Sequence, residues 1–243
     1  MSRQVRVRRL LAALLMLVGG GASVGAMPFA NDTVAKPADL PLHEVPAQQP
    51  GPWIAVFITG DGGWVDADRA LANALAARGV SVIALDARAY LRGGKRSPSA
   101  AAKDAERILR YYETLWHRDQ VMLVGYSRGA DMMPFIANRI AEDLRGQVGL
   151  VALLGLSRRA SFEFHWSDLI RDARRPTDLP VAPELERLRG VRMLCVYGVD
   201  DHGSACRDVE PGLATVVERS GAHRLDADDA TDLARTIVGA ISQ

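Results

Sequence analysis

Val121-Met-Leu-Val-Gly125-Tyr126-Ser127-Arg128-Gly129-Ala130 decides the fold of this chain. A bare G-x-S-x-G arises by chance often enough to mean little. Here it follows an apolar, strand-like run and opens a helical pattern over Ala130–Leu144, which is the setting of a nucleophile elbow. The flanking glycines let the backbone turn tightly, so the Ser127 hydroxyl projects beyond the sheet while the N–H of Arg128 faces the same space. The plain alternative is an ordinary strand-to-helix turn that contains a serine.

Working outward, short β-branched runs alternate with amphipathic segments. Strands are predicted over Ile54–Thr59, Val80–Leu85, Val121–Gly125, Val148–Leu154 and Met193–Tyr197, and helices over Ala67–Arg78, Ala101–Trp116, Ala130–Leu144 and Asp229–Ile241. Ile108, Leu109, Tyr112, Leu115 and Trp116 share one helical face, as do Leu233, Ala234, Ile237, Val238 and Ile241. Strands alternating with helices of this length imply an α/β domain with a mostly parallel central sheet covered on both faces. That domain runs over 53–243, with no internal repeat or composition break. Ahead of it, residues 27–52 form a Pro-rich leader (Pro37, Pro41, Pro46, Pro50, Pro52) that contributes one edge strand around Leu40 to Val45. Gly155 to Gly190 is the longest stretch without a regular pattern. With Phe162-Glu-Phe-His165-Trp166 it reads either as a lid over the C-terminal strand ends or as a packed connection.

An elbow serine needs an acid and then a histidine later in the chain. His43 and His117 precede Ser127, which leaves His165, His202 and His223. His223 fits best, lying after a last strand and before the final helix, where a loop can carry an imidazole over the serine. The acid should follow the preceding strand. Met193-Leu-Cys-Val-Tyr197-Gly198-Val199-Asp200-Asp201 offers two carboxylates; Asp201, three past Gly198, is the first choice and Asp200 the alternative. Thr59-Gly60-Asp61-Gly62-Gly63-Trp64, after the first core strand, supplies backbone N–H groups at Asp61 and Gly62 for the second half of an oxyanion hole, opposite the N–H of Arg128. The phosphate-loop signatures G-x-x-x-x-G-K-[ST] and G-x-G-x-x-G are both absent. Chemistry of this kind calls for no metal or organic cofactor.

The first residues read as an export signal. Arg3, Arg6, Arg8 and Arg9 precede the apolar Leu10 to Val18, and Val24-Gly25-Ala26 suits cleavage after Ala26. The alternative is an uncleaved anchor over residues 10–26. The Arg8-Arg9 pair also raises twin-arginine export, which the following Leu-Leu-Ala-Ala fits poorly. The whole chain has 30 basic and 29 acidic side chains; removing residues 1–26 leaves 26 against 29, a net of −3 over 217 residues. Such a balance excludes the bulk basic field that drives non-specific nucleic-acid binding. Outside the cytoplasm, the lone pair Cys195 and Cys206 is expected to form a disulfide. A zinc site from Asp200, His202 and Cys206 fits less well, having one thiolate and one imidazole without paired spacing.

Gly60-Asp-Gly-Gly-Trp64, Gly125-Tyr-Ser-Arg-Gly-Ala-Asp131 with Met-Met-Pro-Phe135, Phe162-Glu-Phe-His165, and Cys195-Val-Tyr-Gly198 with Ser204-Ala-Cys206 together resemble the VirJ/AcvB family of bacterial periplasmic α/β-hydrolase-like proteins, in its single-domain form. The resemblance covers about residues 53–243. It implies an α/β-hydrolase fold and an exported serine hydrolase, with Ser127 as nucleophile and His223 as base. Some members are linked to hydrolysis of aminoacylated phosphatidylglycerol, and others to type IV secretion, where an adaptor role has been proposed. The implied partners are therefore an aminoacylated phospholipid or another ester, the membrane surface and secretion-system proteins. The sequence departs from the family pattern in two places. Arg128 stands where the family usually has an apolar aromatic residue, and Ala222-His223-Arg224 stands where it has Gly-His-His. Arg128 is expected either to meet an anionic head-group phosphate or to point into solvent. An aminoacyl ester also carries an ammonium beside its carbonyl, for which Asp61 and Asp131 are the candidate partners; the plainer readings are a loop Asp and an acid placed favourably in the first turn of a helix.

Overall fold

A computed structural model describes residues 34–164 and 175–241. The segment at 1–26 expected to direct export, and His165-Trp166 of the long insertion, lie outside these residues. In chain order the elements are β1 (Leu42–Val45), β2 (Trp53–Ile58), α1 (Asp66–Ala76), β3 (Ser81–Leu85), α2 (Ala87–Arg92), α3 (Pro98–Trp116), β4 (Gln120–Tyr126), α4 (Arg128–Ala137), α5 (Glu142–Arg145), β5 (Val148–Leu154), β6 (Arg159–Ala160), β7 (Leu179–Pro180), α6 (Ala182–Arg187), β8 (Met193–Gly198), β9 (Thr215–Arg219) and α7 (Ala230–Ala240). Short 3-10 turns at Ala205–Asp208 and Ala227–Asp229 flank β9.

Seven strands form one sheet in the order β1-β3-β2-β4-β5-β8-β9, and β6 pairs with β7 in a separate ribbon. Only β1 runs antiparallel in the large sheet, against β3; the other neighbours are parallel. The sheet therefore begins inside the Pro-rich leader. β2, β3 and β4 read as nearly unbroken apolar runs because both faces of a parallel sheet are covered, and the two-residue period sorts their side chains to opposite sides. Ile54, Val56, Ile58 and Leu123 pack with Ile108, Leu109 and Tyr112 of α3 and with α4. Ala55, Phe57, Met122 and Val124 pack on the other face, with Leu71 and Leu75 of α1 and with Leu233, Ala234 and Ile237 of α7.

Two expectations change. The helix expected over Ala130–Leu144 stops at Ala137, and just beyond it the side-chain amide of Asn138 donates to the backbone oxygen and Oε2 of Glu184 at 2.9 and 2.8 Å. The N–H of Ala141 then donates to Glu106 Oε1 at 2.6 Å, and the chain restarts as α5. Leu115 does not join the core face of α3 but lies 48% exposed near the helix end. Within Gly155–Gly190 the described residues are packed: Phe162 is buried edge-on against Phe135 with ring centroids 5.5 Å apart, and the ribbon and α6 belong to the same stretch. Among the described residues, no helix is long and apolar enough to cross a membrane.

In register, Ile58 of β2 lies beside Leu85 of β3 and Gly125 of β4, and Tyr126 beside Leu154 of β5. The strands thus end together, and the loops after β2, β4, β5 and β8 converge above one edge of the sheet, where open α/β sheets place their ligands.

Candidate active site

Ser127 sits between β4 and α4 at φ 51° and ψ −118°, in a region that a residue with a Cβ rarely enters. The surroundings hold it there. Its N–H donates to Leu154 O at 2.8 Å, its carbonyl accepts from Asp131 N–H at 3.0 Å, and Gly129 N–H donates to Thr59 O at 3.1 Å. The two glycines are dictated by proximity. A Cβ on Gly125 would lie 2.4 Å from Gly129 O, and one on Gly129 only 2.0 Å from Ile58 O.

His223 Nε2 lies 2.8 Å from Ser127 Oγ, and His223 Nδ1 lies 2.8 Å from Asp201 Oδ2. An ionised carboxylate can only accept, so Asp201 fixes the proton on Nδ1 and leaves Nε2 to accept from the serine hydroxyl. The adjacent Asp200 is exposed, and the imidazole hydrogen bond goes to Asp201. The difference arises in the turn after β8: Asp201 N–H donates to Gly198 O at 2.9 Å and Asp200 N–H to Gly221 O at 3.0 Å, so only the second carboxylate faces the imidazole.

Several residues outside the predicted triad and oxyanion hole hold this array. Arg219, at the end of β9, donates to the carbonyls of Ser220, Ala222 and Arg224 at 2.9, 2.7 and 2.7 Å and so shapes the His223 loop from beneath. Tyr126 OH accepts from Leu225 N–H at 3.1 Å, and its ring lies 6.1 Å from the His223 ring. Gly155, at φ 67°, leaves room for the imidazole, since a Cβ there would lie 3.0 Å from His223 Cε1. Gly198 does the same for the loop backbone, as its Cβ would meet the carbonyl oxygens of Gly221 and Ala222 at 2.3 Å. A glycine closing a predicted strand was the one available signal for these last two.

The expected disulfide is present: Cys195 on β8 bonds Cys206 on the 3-10 turn, across the loop that carries Asp201. That bond consumes the thiolate a zinc site would have needed, which removes the Asp200, His202, Cys206 alternative. Among the described residues, no cluster of His, Cys, Asp or Glu is suited to a metal ion. The loop is also tied to the neighbouring strand end, with Ala205 N–H donating to Leu156 O at 2.7 Å.

Arg128 does not point into solvent. It is 8% exposed, and its Nε and Nη2 donate to both oxygens of Asp61 at 2.9 and 3.0 Å. Asp131 is 6% exposed, and its Oδ1 accepts from Ser157 N–H at 2.7 Å. Burial pushes the Asp131 carboxyl well above the usual carboxylate range, against the opposing pull of Ser157 N–H and the Arg128 charge. Gly62 forms the turn with Asp61 directly across from the serine, and a Cβ on Gly60 would lie 3.2 Å from Ser127 Cβ. Among the described residues, the N–H groups of Asp61 and Gly62 donate to no other backbone group. All these side chains line one cleft of about 1190 Å³, whose walls carry both signs of charge, with Asp66 and Asp226 as well as Arg158, Arg159 and Arg175.

The fold has close counterparts among solved structures. MenH from S. aureus superposes with a TM-score of 0.59 at 12% identity, covering 83% of this chain and 97% of that one. Est1E from Butyrivibrio proteoclasticus gives 0.56 at 14% identity, covering 81% and 91%. A thioesterase domain from the curacin biosynthetic pathway gives 0.55 at 18% identity, covering 81% and 94%. At these identities the likeness shows an α/β-hydrolase fold. No curated protein matches the sequence significantly. The family model described as bacterial virulence protein (VirJ) matches residues 52–243, the whole sheet-forming region from β2 onward, and this chain belongs to the VirJ family.

Proposed function

We propose that this protein is an exported serine hydrolase that cleaves a carboxylic ester, and that the ester is the aminoacyl ester of an aminoacylated phosphatidylglycerol. The observation that carries the reading is the continuous line Asp201–His223–Ser127, with 2.8 Å at each step, ending on a strained serine that opens into the cleft. Ser127 Oγ attacks the ester carbonyl as its proton passes to His223 Nε2. Asp201 keeps the ring in the accepting tautomer and stabilises the imidazolium. The tetrahedral oxyanion is received by the N–H groups of Arg128 and of the Asp61–Gly62 turn. Collapse expels the glycerol oxygen, which takes the proton from His223. Water, deprotonated by the same ring, then releases the amino acid from Ser127.

Three features support the lipid substrate. The cleft of about 1190 Å³ exceeds what a short ester fills. Its walls offer carboxylates for an ammonium and guanidinium groups for a phosphodiester. Family membership adds the third, since the resemblance implies such an ester for some members. Asp61, with its side chain still 25% exposed, is the acceptor for the ammonium, whereas Asp131 is nearly enclosed. Arg128 is enclosed in its pair with Asp61, so a head-group phosphate falls to a more exposed guanidinium of the cleft wall, Arg158, whose ion pair with Asp208 is itself half-exposed and open to exchange. The disulfide suits the oxidising periplasm to which the first 26 residues are addressed.

The test is to incubate the protein and its Ser127→Ala variant with vesicles of aminoacyl-phosphatidylglycerol and, separately, with p-nitrophenyl acetate. Ser127-dependent release of amino acid is expected, at a higher kcat/KM than for the simple ester. Turnover of the simple ester alone would leave the hydrolase and remove the lipid. No Ser127-dependent turnover of any ester would mean a binding scaffold.

A further inference from the structure

We infer that Arg128 is a positioning residue, whose ion pair with Asp61 fixes the distance between the two halves of the oxyanion hole. The inference rests on the hydrolase reading above and deepens it. Arg128 follows the serine directly and begins α4, so its N–H belongs to the elbow side. Asp61 lies on the facing turn, so the donors at 61 and 62 belong to the β2 side. The two guanidinium–carboxylate hydrogen bonds of 2.9 and 3.0 Å cross from one side to the other, and the arginine side chain is only 9% exposed.

The turn needs such a tie. Gly60, Gly62 and Gly63 give it little intrinsic stiffness, and Gly63 is at φ 76°. Its far end is anchored: Gly63 N–H donates to Gly60 O at 3.0 Å, and Trp64 N–H to Asp86 Oδ2 at 3.4 Å. On the cleft side, where the N–H groups of Asp61 and Gly62 donate to no backbone group among the described residues, the Asp61 carboxylate is the side-chain attachment to the elbow, beyond the backbone bond from Gly129 N–H to Thr59 O at the root of the turn. A planar fork meeting a carboxylate at two points sets angle as well as distance, which a lysine ammonium cannot do. Donors of this kind act when charge develops on the oxygen, and a displacement of about 1 Å at such a site costs on the order of 100-fold in rate.

The experiment compares Arg128→Met, Arg128→Lys, Asp61→Asn and the double variant R128M/D61N on p-nitrophenyl acetate, a neutral ester with no phosphate or ammonium to bind. For Arg128→Met the expected result is a fall in kcat of about 100-fold with KM changed less than about threefold, because the interaction is made only in the transition state. Asp61→Asn, a near-isosteric change on a surface turn, is expected to fall by at least about tenfold, and it keeps the test open if Arg128→Met folds poorly. Arg128→Lys should recover only part of the loss, and the double variant should fall no further than Arg128→Met alone. Wild-type kcat in Arg128→Met, or a rise in KM with kcat unchanged, would overturn the inference and leave the hydrolase intact. Additive losses in the double variant would overturn it too. Absence of Ser127-dependent turnover in the wild type would instead remove the hydrolase reading itself.

Discussion

Replacing Asp201 by asparagine keeps the size and nearly the shape of the side chain while removing its charge. The carboxylate lies 2.8 Å from His223 Nδ1, and its side chain is only 10% exposed. When the imidazolium forms, the two charge centres stand about 4 Å apart, where an effective dielectric of about 20 gives about 4 kcal/mol. That energy is about 1000-fold in rate. The amide adds a second loss, because its NH2 can donate to Nδ1 and move the ring proton to Nε2, where the serine hydroxyl needs an acceptor. The combined fall in kcat is about 1000- to 10,000-fold. Asp200 is exposed and is not the carboxylate bonded to the ring, so Asp200→Asn should stay within about threefold of the wild type on the same scale. Both variants are assayed by kcat/KM on p-nitrophenyl acetate, with melting curves as a check on folding. A loss below tenfold in Asp201→Asn, or an equal loss in Asp200→Asn, would refute the assignment of the acid.

Two further outcomes follow from the packing. The disulfide closes a loop of sequence separation 11 around Asp201, which corresponds to about 3 kcal/mol of stability. Reductant should therefore lower the urea midpoint of the wild type toward that of the variant C195A/C206A and leave the variant unchanged; a wild type insensitive to reductant contradicts the cross-link. Asp68, 2% exposed in the first turn of α1, has its carboxyl raised to about 6, chiefly by burial, with one oxygen accepting from Val65 N–H at 3.2 Å and the other without a partner. A raised carboxyl binds its proton more tightly in the folded chain. Stability is thus expected to fall by about 3 kcal/mol as pH rises from about 4 to about 6, and then to level off. Asp68→Asn should flatten that part of the curve; an unchanged slope in denaturant titrations at pH 4.5 and 7 would contradict it.

How much of this was legible in the sequence depended on the kind of residue. Gly125 and Gly129 announced the elbow because only glycine tolerates carbonyls 2.4 and 2.0 Å from a Cβ position, and such a constraint is written in residue identity. The parallel sheet was legible for a similar reason, since strands buried on both faces lack polar residues. β9 left only a weak trace because TVVER at the sheet edge is largely exposed and carries no apolar alternation. Asp200 and Asp201 are chemically identical neighbours, separated only by which turn hydrogen bond each makes. Arg128 read as a cation for either a head-group phosphate or solvent because its partner, Asp61, lies 67 residues away. Arg219 was silent for the same reason, acting through backbone carbonyls that carry no sequence signature.

The central claim is that Ser127 is the nucleophile and that His223 activates it. The direct measurement is covalent capture: reaction with a fluorophosphonate, followed by intact mass and peptide mapping. One adduct per chain, on the peptide containing Ser127 and absent from Ser127→Ala, is the predicted result, with the labelling rate falling at least about 100-fold in His223→Ala. An unlabelled protein, or an adduct on another serine with Ser127 untouched, would contradict the account.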